Sequence, residues 1–291
     1  MRWTFNFQLS TLDGLFYVIP ATEASSVPVP ITVVDAFTDR PFAGNPAAVC
    51  ILPAEREKAW MQQVAREMNH AETAFVLCRP DHVALRWFTP TVEVDLCGHA
   101  TLASAHALWE NGTYRAEQLI RFRTRSGDLF ATRDGAWIRL DFPALTAQWA
   151  DTPPGLSDTL GCAVRSCALS KFDLLVEVDA EAKVVNLKPD LSLLARLPYR
   201  GVIVTAQADE DKDYHFVSRF FAPQSGVPED PVTGSAHCAL APYWAERLGT
   251  NPLIGYQASP RGGIIQVEVK GDRVILGGQA VTVLKAELLQ D

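Results

Sequence analysis

The sequence predicts an α+β protein of two pseudo-symmetric domains, each a curled, mainly antiparallel sheet or barrel around a central helix. Three observations lead there. A set of short motifs occurs twice in the same order, each copy holds one Ala-rich helix entered through a glycine, and hairpin-forming β segments flank both helices.

The repeat comes first. Arg86-Trp87-Phe88-Thr89-Pro90 returns as Arg219-Phe220-Phe221-Ala222-Pro223, and GHATLASAHALW from Gly98 resembles GSAHCALAPYW from Gly234. The spacings between copies are nearly equal, and shared order at nearly constant spacing is the signature of an internal duplication. In each copy an extended Arg-aromatic-aromatic segment meets Pro, crosses an acidic loop, reaches Gly and enters a helix. These helices, 98–111 and 234–248, stop at Asn111-Gly112 and Leu248-Gly249, the usual glycine exit. Their Ala content lets each lie close inside a sheet. The flanks LIRFRTRSGDLFATRDGAWIRLDFP and IIQVEVKGDRVILGGQAVTVLKAEL read as strands, with hairpin turns at 133–135 and 270–272.

The remaining elements follow along the chain. Residues 1–30 read as an N-terminal extension with no assigned role; Asp13 and Gly14 keep its apolar run, Leu15 to Ile19, short, and with Arg2 its only basic residue a secretory signal is poorly supported. Regular structure is expected from Ile31, where ITVVDAF has the β-branched character of a buried strand. A Pro/Gly/Asn turn leads to a second strand around Ala48 to Leu52. Residues 55–69 form a helix with Trp60, Met61, Val64, Ala65 and Met68 on one face. Glu72 then precedes the strand TAFVLC. The crossover lies near Asp151 to Gly155, dividing the chain into halves 31–150 and 151–291, with the C-terminal strand free to return to the first half.

Composition narrows the function. A net charge of −8 argues against a nucleic-acid partner, which needs clustered Lys and Arg. No stretch approaches the ~18 apolar residues of a membrane span. Six cysteines without a CxxC pair give neither a zinc signature nor a disulfide framework, so reduced thiols in a cytoplasmic protein are expected. No GxSxG, GxGxxG, Walker or HExxH motif is present, which leaves no case for a metal or nucleotide cofactor.

Chemistry is expected where the two helices start. Gly98 and Gly234 permit tight entry into helices whose first N–H groups lack intrahelical partners. Such ends attract anions, and duplication would bring both to one cleft suited to a small-molecule carboxylate. Taken singly, each is an ordinary glycine-led helix. The first turn supplies Asp95, Cys97 and His99; the second supplies Glu229, Asp230, Thr233 and Ser235. Ser235 reads equally well as a plain helix cap. His99 is a less usual cap and suits hydrogen bonding to a ligand. Asp230 precedes Pro231, which favours extended backbone and a projecting carboxylate. Glu72 has no acidic counterpart, since Tyr199-Arg200 precede the matching strand GVIVTAQ. One acid in one copy is what a single-base proton shuttle needs, although an isolated glutamate after a helix is more often solvated. In an apolar cleft its pKa would rise towards neutrality.

VDAFTDRPFAGNPAAV, HAETAFV, RWFTPTVEVDLCGHATLASAHAL and FFAPQSGVPEDPVTGSAHCALAPYWAERLG together resemble the successive motifs of the PhzF-like (phenazine-biosynthesis) family. The resemblance runs from about Ile31 to the C-terminal strands. It implies a diaminopimelate epimerase-like fold and a cofactor-independent isomerase. It gives Glu72 the role of catalytic glutamate, has His99 and Asp230 orient substrate and assist proton transfer, and has Gly98, Gly234 and Ser235 hold the ligand carboxylate. A homodimer is common in the family, and its best-understood member isomerises trans-2,3-dihydro-3-hydroxyanthranilate. Two alternatives remain. Related epimerases use two cysteines, and Cys97 stands where one would be, but Thr233 occupies the other place. A non-catalytic small-molecule binding protein of the same fold is the third reading.

Overall fold

The computed structural model describes residues 8–12, 15–19 and 28–289. Strands β1 (Gln8–Leu12) and β2 (Leu15–Ile19) pair as an antiparallel hairpin, although regular structure was expected only from Ile31. The register pairs Gln8 with Ile19 and Leu12 with Leu15, while Asp13 and Gly14 lie outside the described residues.

The next ten elements are β3 (Val29–Ala36), β4 (Asn45–Ile51), α1 (Lys58–Met68), β5 (Glu72–Cys78), β6 (Val83–Phe88), β7 (Glu93–Val94), α2 (Gly98–Glu110), β8 (Ile120–Thr124), β9 (Gly127–Asp134) and β10 (Trp137–Pro143). After these come β11 (Gln148–Ala150), α3 (Leu156–Leu160), β12 (Ser166–Leu169), β13 (Asp173–Glu177), α4 (Glu181–Val185) and α5 (Leu191–Leu194). The chain ends with β14 (Gly201–Gln207), β15 (Phe216–Ala222), β16 (Val227–Asp230), α6 (Gly234–Leu248), β17 (Leu253–Gln257), β18 (Gly263–Lys270), β19 (Arg273–Gly278) and β20 (Ala280–Leu288).

Strand pairing repeats the sequence duplication. One half runs β20-β3-β4-β5-β6-β8-β9-β10, and β10 pairs with β19 to begin β19-β18-β17-β15-β14-β13-β12-β11. The parallel pairs occupy equivalent places: β4–β5 and β6–β8 in one half, β13–β14 and β15–β17 in the other. The two sheets also exchange strands. β11 follows β10 but pairs with β12, and β20 follows β19 but pairs with β3.

Each curled sheet wraps one central helix. From His99 to Trp109, α2 is buried on nearly every face, with Ala100, Ala103, Ala105 and Ala107 against the strands. A helix apolar all round is stable only inside a core. Its buried hydroxyls are satisfied locally: Thr101 Oγ1 donates to the Cys97 carbonyl at 2.5 Å and Ser104 Oγ to the Ala100 carbonyl at 2.7 Å. By contrast α1 is two-faced, burying Met61, Val64 and Ala65 with Phe75 and Phe88 on the outer side of the sheet. The expected helix 55–69 shortens by a few residues. Helices α3, α4 and α5 cover Val176, Val204 and Val217 of the second sheet and had not been anticipated. At four or five residues each they are too short to carry a helical period.

The repeated Arg-aromatic-aromatic motif has a structural cause. Arg86 grips Glu93 at 2.7 and 3.0 Å, and Arg219 grips Glu229 at 2.7 and 2.8 Å. These forked pairs tie β6 to β7 and β15 to β16, setting the turn that delivers the chain to each helix start.

Candidate active site

Helices α2 and α6 meet at their N-termini. A methyl group placed on Gly98 would lie 3.2 Å from Gly234 Cα, and one on Gly234 would lie 3.3 Å from Gly98 Cα. Backbone meets backbone at these glycines, and a methyl on either would push the facing chain back by a few tenths of an ångström. The residues before them, Cys97 and Thr233, have extended φ values of −146° and −111°, and neither side chain caps its helix. Two sets of helix-start N–H groups thus converge without side-chain caps.

Glu72 opens β5 and points its Oε2 to within 3.3 Å of His99 Nε2 on the first turn of α2. Cys97 Sγ lies 3.5 Å from His99 Nδ1. From the other half, Asp230 ends β16, accepts from Thr233 Oγ1 at 2.5 Å and from Asn45 Nδ2 at 2.7 Å. The same Asn45 nitrogen lies 3.2 Å from His99 Nδ1. Glu72, His99 and Asp230 thus share one cluster beside Gly98 and Gly234. Ser235 Oγ accepts from Arg200 at 3.1 Å, while Arg200 also forks onto buried Asp173 at 2.8 and 2.5 Å. The other carboxylates near the helix starts are engaged elsewhere: exposed Asp95 pairs with Arg125 at 3.2 Å, and Glu229 is held by Arg219.

Burial dominates the electrostatics. It pushes the Glu72 carboxyl up to about 8, reinforced by the charge of Asp230 and opposed by a hydrogen bond from Cys97. Asp230 rises to about 6 for the same first reason, opposed by its hydrogen bonds from Thr233 and Asn45. His99 falls to about 3 through burial and the nearby His70, so its imidazole is neutral and its contact with Glu72 is a hydrogen bond rather than an ion pair. Burial, then the Glu72 charge, hold the Cys97 thiol well above its ordinary value. The site therefore offers a neutral imidazole, a protonated thiol and a carboxyl group able to exchange its proton near neutrality.

This carboxyl leaves a signature in stability. A carboxyl raised in the folded state binds a proton that the unfolded chain has already released between pH 4.5 and about 8. Its stabilising contribution is complete below 4.5 and is lost as pH rises through about 8. Thermal unfolding across this window should fall more steeply with pH in the wild type than in Glu72→Gln. Equal slopes would show that Glu72 is not raised.

Ligand atoms of Glu72, Cys97 and His99 all lie within 4.8 Å of one another, close enough to be weighed as metal ligands. Their directions fit poorly. The sulfur is nearer His99 Nδ1, at 3.5 Å, than Nε2, at 4.0 Å, whereas Glu72 approaches Nε2. A cation on Nε2 would also require the buried thiol to lose its proton. The arrangement suits proton transfer better.

Asn45, Arg200 and Gln257 were not anticipated as site residues. Gln257 Oε1 accepts the Thr233 N–H at 2.8 Å, and its amide donates to the Asp230 carbonyl at 2.7 Å. For Asn45 the available signal was a short polar side chain in the Gly-Asn-Pro segment; for Arg200 it was a cation immediately before the strand that lacked an acid. Strand register explains that lack. Phe75 faces Arg86 and Val204 faces Arg219, which makes Gly201 the counterpart of Glu72. A Cβ at Gly201 would lie 2.3 Å from the Phe220 ring, so an aromatic occupies the space that the acid takes in the first half.

Comparison with known proteins agrees with this architecture. A PhzF-family structure from Enterococcus faecalis superimposes with a TM-score of 0.86 at 42 % identity, covering 90 % of this chain and 99 % of that one. A hydroxyproline epimerase from Agrobacterium vitis has a TM-score of 0.59 at 13 % identity, covering 90 % and 93 %, a likeness of fold alone. The fold is therefore of the epimerase-like class. More particularly, the chain belongs to the PhzF family: the profile of the phenazine biosynthesis-like proteins matches residues 34–286. An uncharacterized isomerase of Halalkalibacterium halodurans is 53 % identical over 261 residues, 89 % of this chain and 98 % of that one. The phenazine biosynthesis-like domain-containing protein of Homo sapiens is 38 % identical over 288 residues, 89 % and 99 % of the two chains. Among the described residues no helix is long and apolar enough to cross a membrane.

Proposed function

We propose that the protein moves a proton between carbons of a small carboxylate substrate, with Glu72 as both base and acid and with no cofactor. The observation carrying this reading is a carboxyl of pKa about 8, present in one copy of a duplicated site, 3.3 Å from a neutral imidazole where two uncapped helix starts meet. Near neutrality such a group accepts a proton from carbon and returns it at little cost in either direction. The substrate carboxylate lies over the N–H groups at Gly98, Gly234 and Ser235, because the touching glycines leave no space between them. His99 and Asp230 orient the substrate on either side of the shuttle. The crossover at 151–155 belongs to the same reading: halves 31–150 and 151–291, with β11 and β20 exchanged, each supply only part of the site. The chemistry is redox-neutral.

The test is deuterium incorporation from labelled water into a panel of small carboxylates, beginning with trans-2,3-dihydro-3-hydroxyanthranilate and including amino-acid-like compounds. Exchange that depends on Glu72 supports the reading; a panel turned over equally by Glu72→Gln rejects it.

The alternative is two-base epimerisation through Cys97. Burial keeps that thiol protonated, and Thr233 stands in the equivalent place of the second half. Cys97→Ser should therefore keep most activity, and alkylating agents should inhibit little. Lost activity in Cys97→Ser, with racemisation of an amino acid in deuterated water, would favour the epimerase instead.

A further inference from the structure

We propose that Asn45 is a positioning residue that holds His99 in the tautomer bearing its proton on Nε2, aimed at Glu72, while gripping Asp230 with the same amide. This rests on the roles given above to Glu72 and His99, but its test needs no turnover.

The amide orientation follows from its neighbours. Asn45 is fully buried, and its Nδ2 lies 2.7 Å from Asp230 Oδ1 and 2.9 Å from the Val232 carbonyl oxygen. Both neighbours are acceptors, so the nitrogen end of the amide must face them; a flipped amide would set oxygen against oxygen twice. His99 Nδ1 lies 3.2 Å from that nitrogen. An amide nitrogen has hydrogens to give and no lone pair to offer. Its two hydrogens serve three neighbours, so one is shared between an oxygen and the ring, and Nδ1 presents its lone pair because a hydrogen on Nδ1 would find no acceptor at the amide nitrogen. In a neutral imidazole the proton then sits on Nε2, 3.3 Å from Glu72 Oε2.

The rest of Asn45 is consistent with an orientation imposed by the site. Among the described residues its buried Oδ1 has no hydrogen-bond partner, and turning the amide would add two oxygen–oxygen contacts to that cost. Arg261 holds the preceding loop, donating to the carbonyls of Ala43 at 2.9 Å and Gly44 at 2.8 Å and to Asp35 at 2.7 Å. Asp35 in turn accepts the Phe42 N–H at 2.7 Å. The Asn45 amide thus touches His99 of one half and Asp230 of the other.

The experiment is ¹⁵N NMR of protein labelled at histidine, read at neutral pH through long-range ring correlations, with His99→Gln supplying the assignment. The wild type should show a bare, pyridine-like Nδ1 and a protonated, pyrrole-like Nε2. Asn45→Asp places an acceptor where the donor stood and should transfer the proton to Nδ1; Asn45→Ser removes the donor and should give a mixture. A wild-type proton on Nδ1 overturns the proposal. So does a folded Asn45→Asp or Asn45→Ser whose tautomer matches the wild type. Should Asn45→Asp not fold, because its carboxylate meets Asp230, the wild-type and Asn45→Ser spectra still decide. If the isomerase reading fails, every exchange assay stays silent while the His99 spectrum remains as expected, so the two failures are distinguishable.

Discussion

Replacing Glu72 with Gln should lower turnover by about 10²–10⁴, the range of a general acid–base group, while leaving ligand binding nearly intact. The amide keeps the size of the carboxyl and can still hydrogen-bond to His99, 3.3 Å away, but it cannot accept a proton. Among the described residues, Asp230 is the other carboxylate of the cluster. It hydrogen-bonds to Thr233 and Asn45 and sits at about 6, a weaker base already committed to two donors. No second base of matching strength stands ready to replace Glu72. His99→Ala should differ in kind, weakening binding and turnover together, because it removes an orienting group rather than the proton carrier. Isotope exchange and ligand titration on both variants separate these patterns. Undiminished exchange in Glu72→Gln would reject the assigned base.

The largest effect on stability is expected at Gly44. This residue sits at φ +64°, and a Cβ there would lie 2.2 Å from the Ala36 carbonyl oxygen and 2.8 Å from Thr38 Cγ2. The left-handed backbone alone costs a non-glycine residue about 1–2 kcal/mol. The clash is with backbone of the adjoining strand, which cannot swing aside, so the β3–β4 loop must open. Opening it breaks the 2.7 Å bond from the Gly44 N–H to the Gly262 carbonyl and strains the Arg261 contacts. Gly44→Ala should therefore destabilise by about 3 kcal/mol or more. Gly112→Ala is the control: φ is +77°, but nothing lies within 4 Å of the added methyl, so only the conformational cost remains. Thermal unfolding of both variants should place Gly44→Ala well below Gly112→Ala. Equal losses would show that the loop yields freely. Turnover should fall as well in Gly44→Ala, since the next residue is Asn45.

How far the site could be read in advance depended on the range of each interaction. Asp95 and Glu229 looked equivalent to Asp230 as acids near a helix start, until Arg125 and Arg219 engaged them from other elements. Proximity in sequence cannot tell which acid of a loop faces a cleft and which closes an ion pair.

The sequence by itself determined the duplicated architecture, the two glycine-led helices and the asymmetry of Glu72. Periodicity, small-residue content and turn chemistry act over a few residues, and a repeat displays them twice. Tertiary structure alone decided that Gly98 and Gly234 touch, that Phe220 fills the counterpart of the Glu72 position, and that Asn45 joins His99 to Asp230. Each of these joins residues distant in the chain, Asn45 and Asp230 being 185 positions apart. The raised Glu72 belongs with them, because desolvation is set by all the elements packed around a carboxyl and by none of its neighbours in the chain alone.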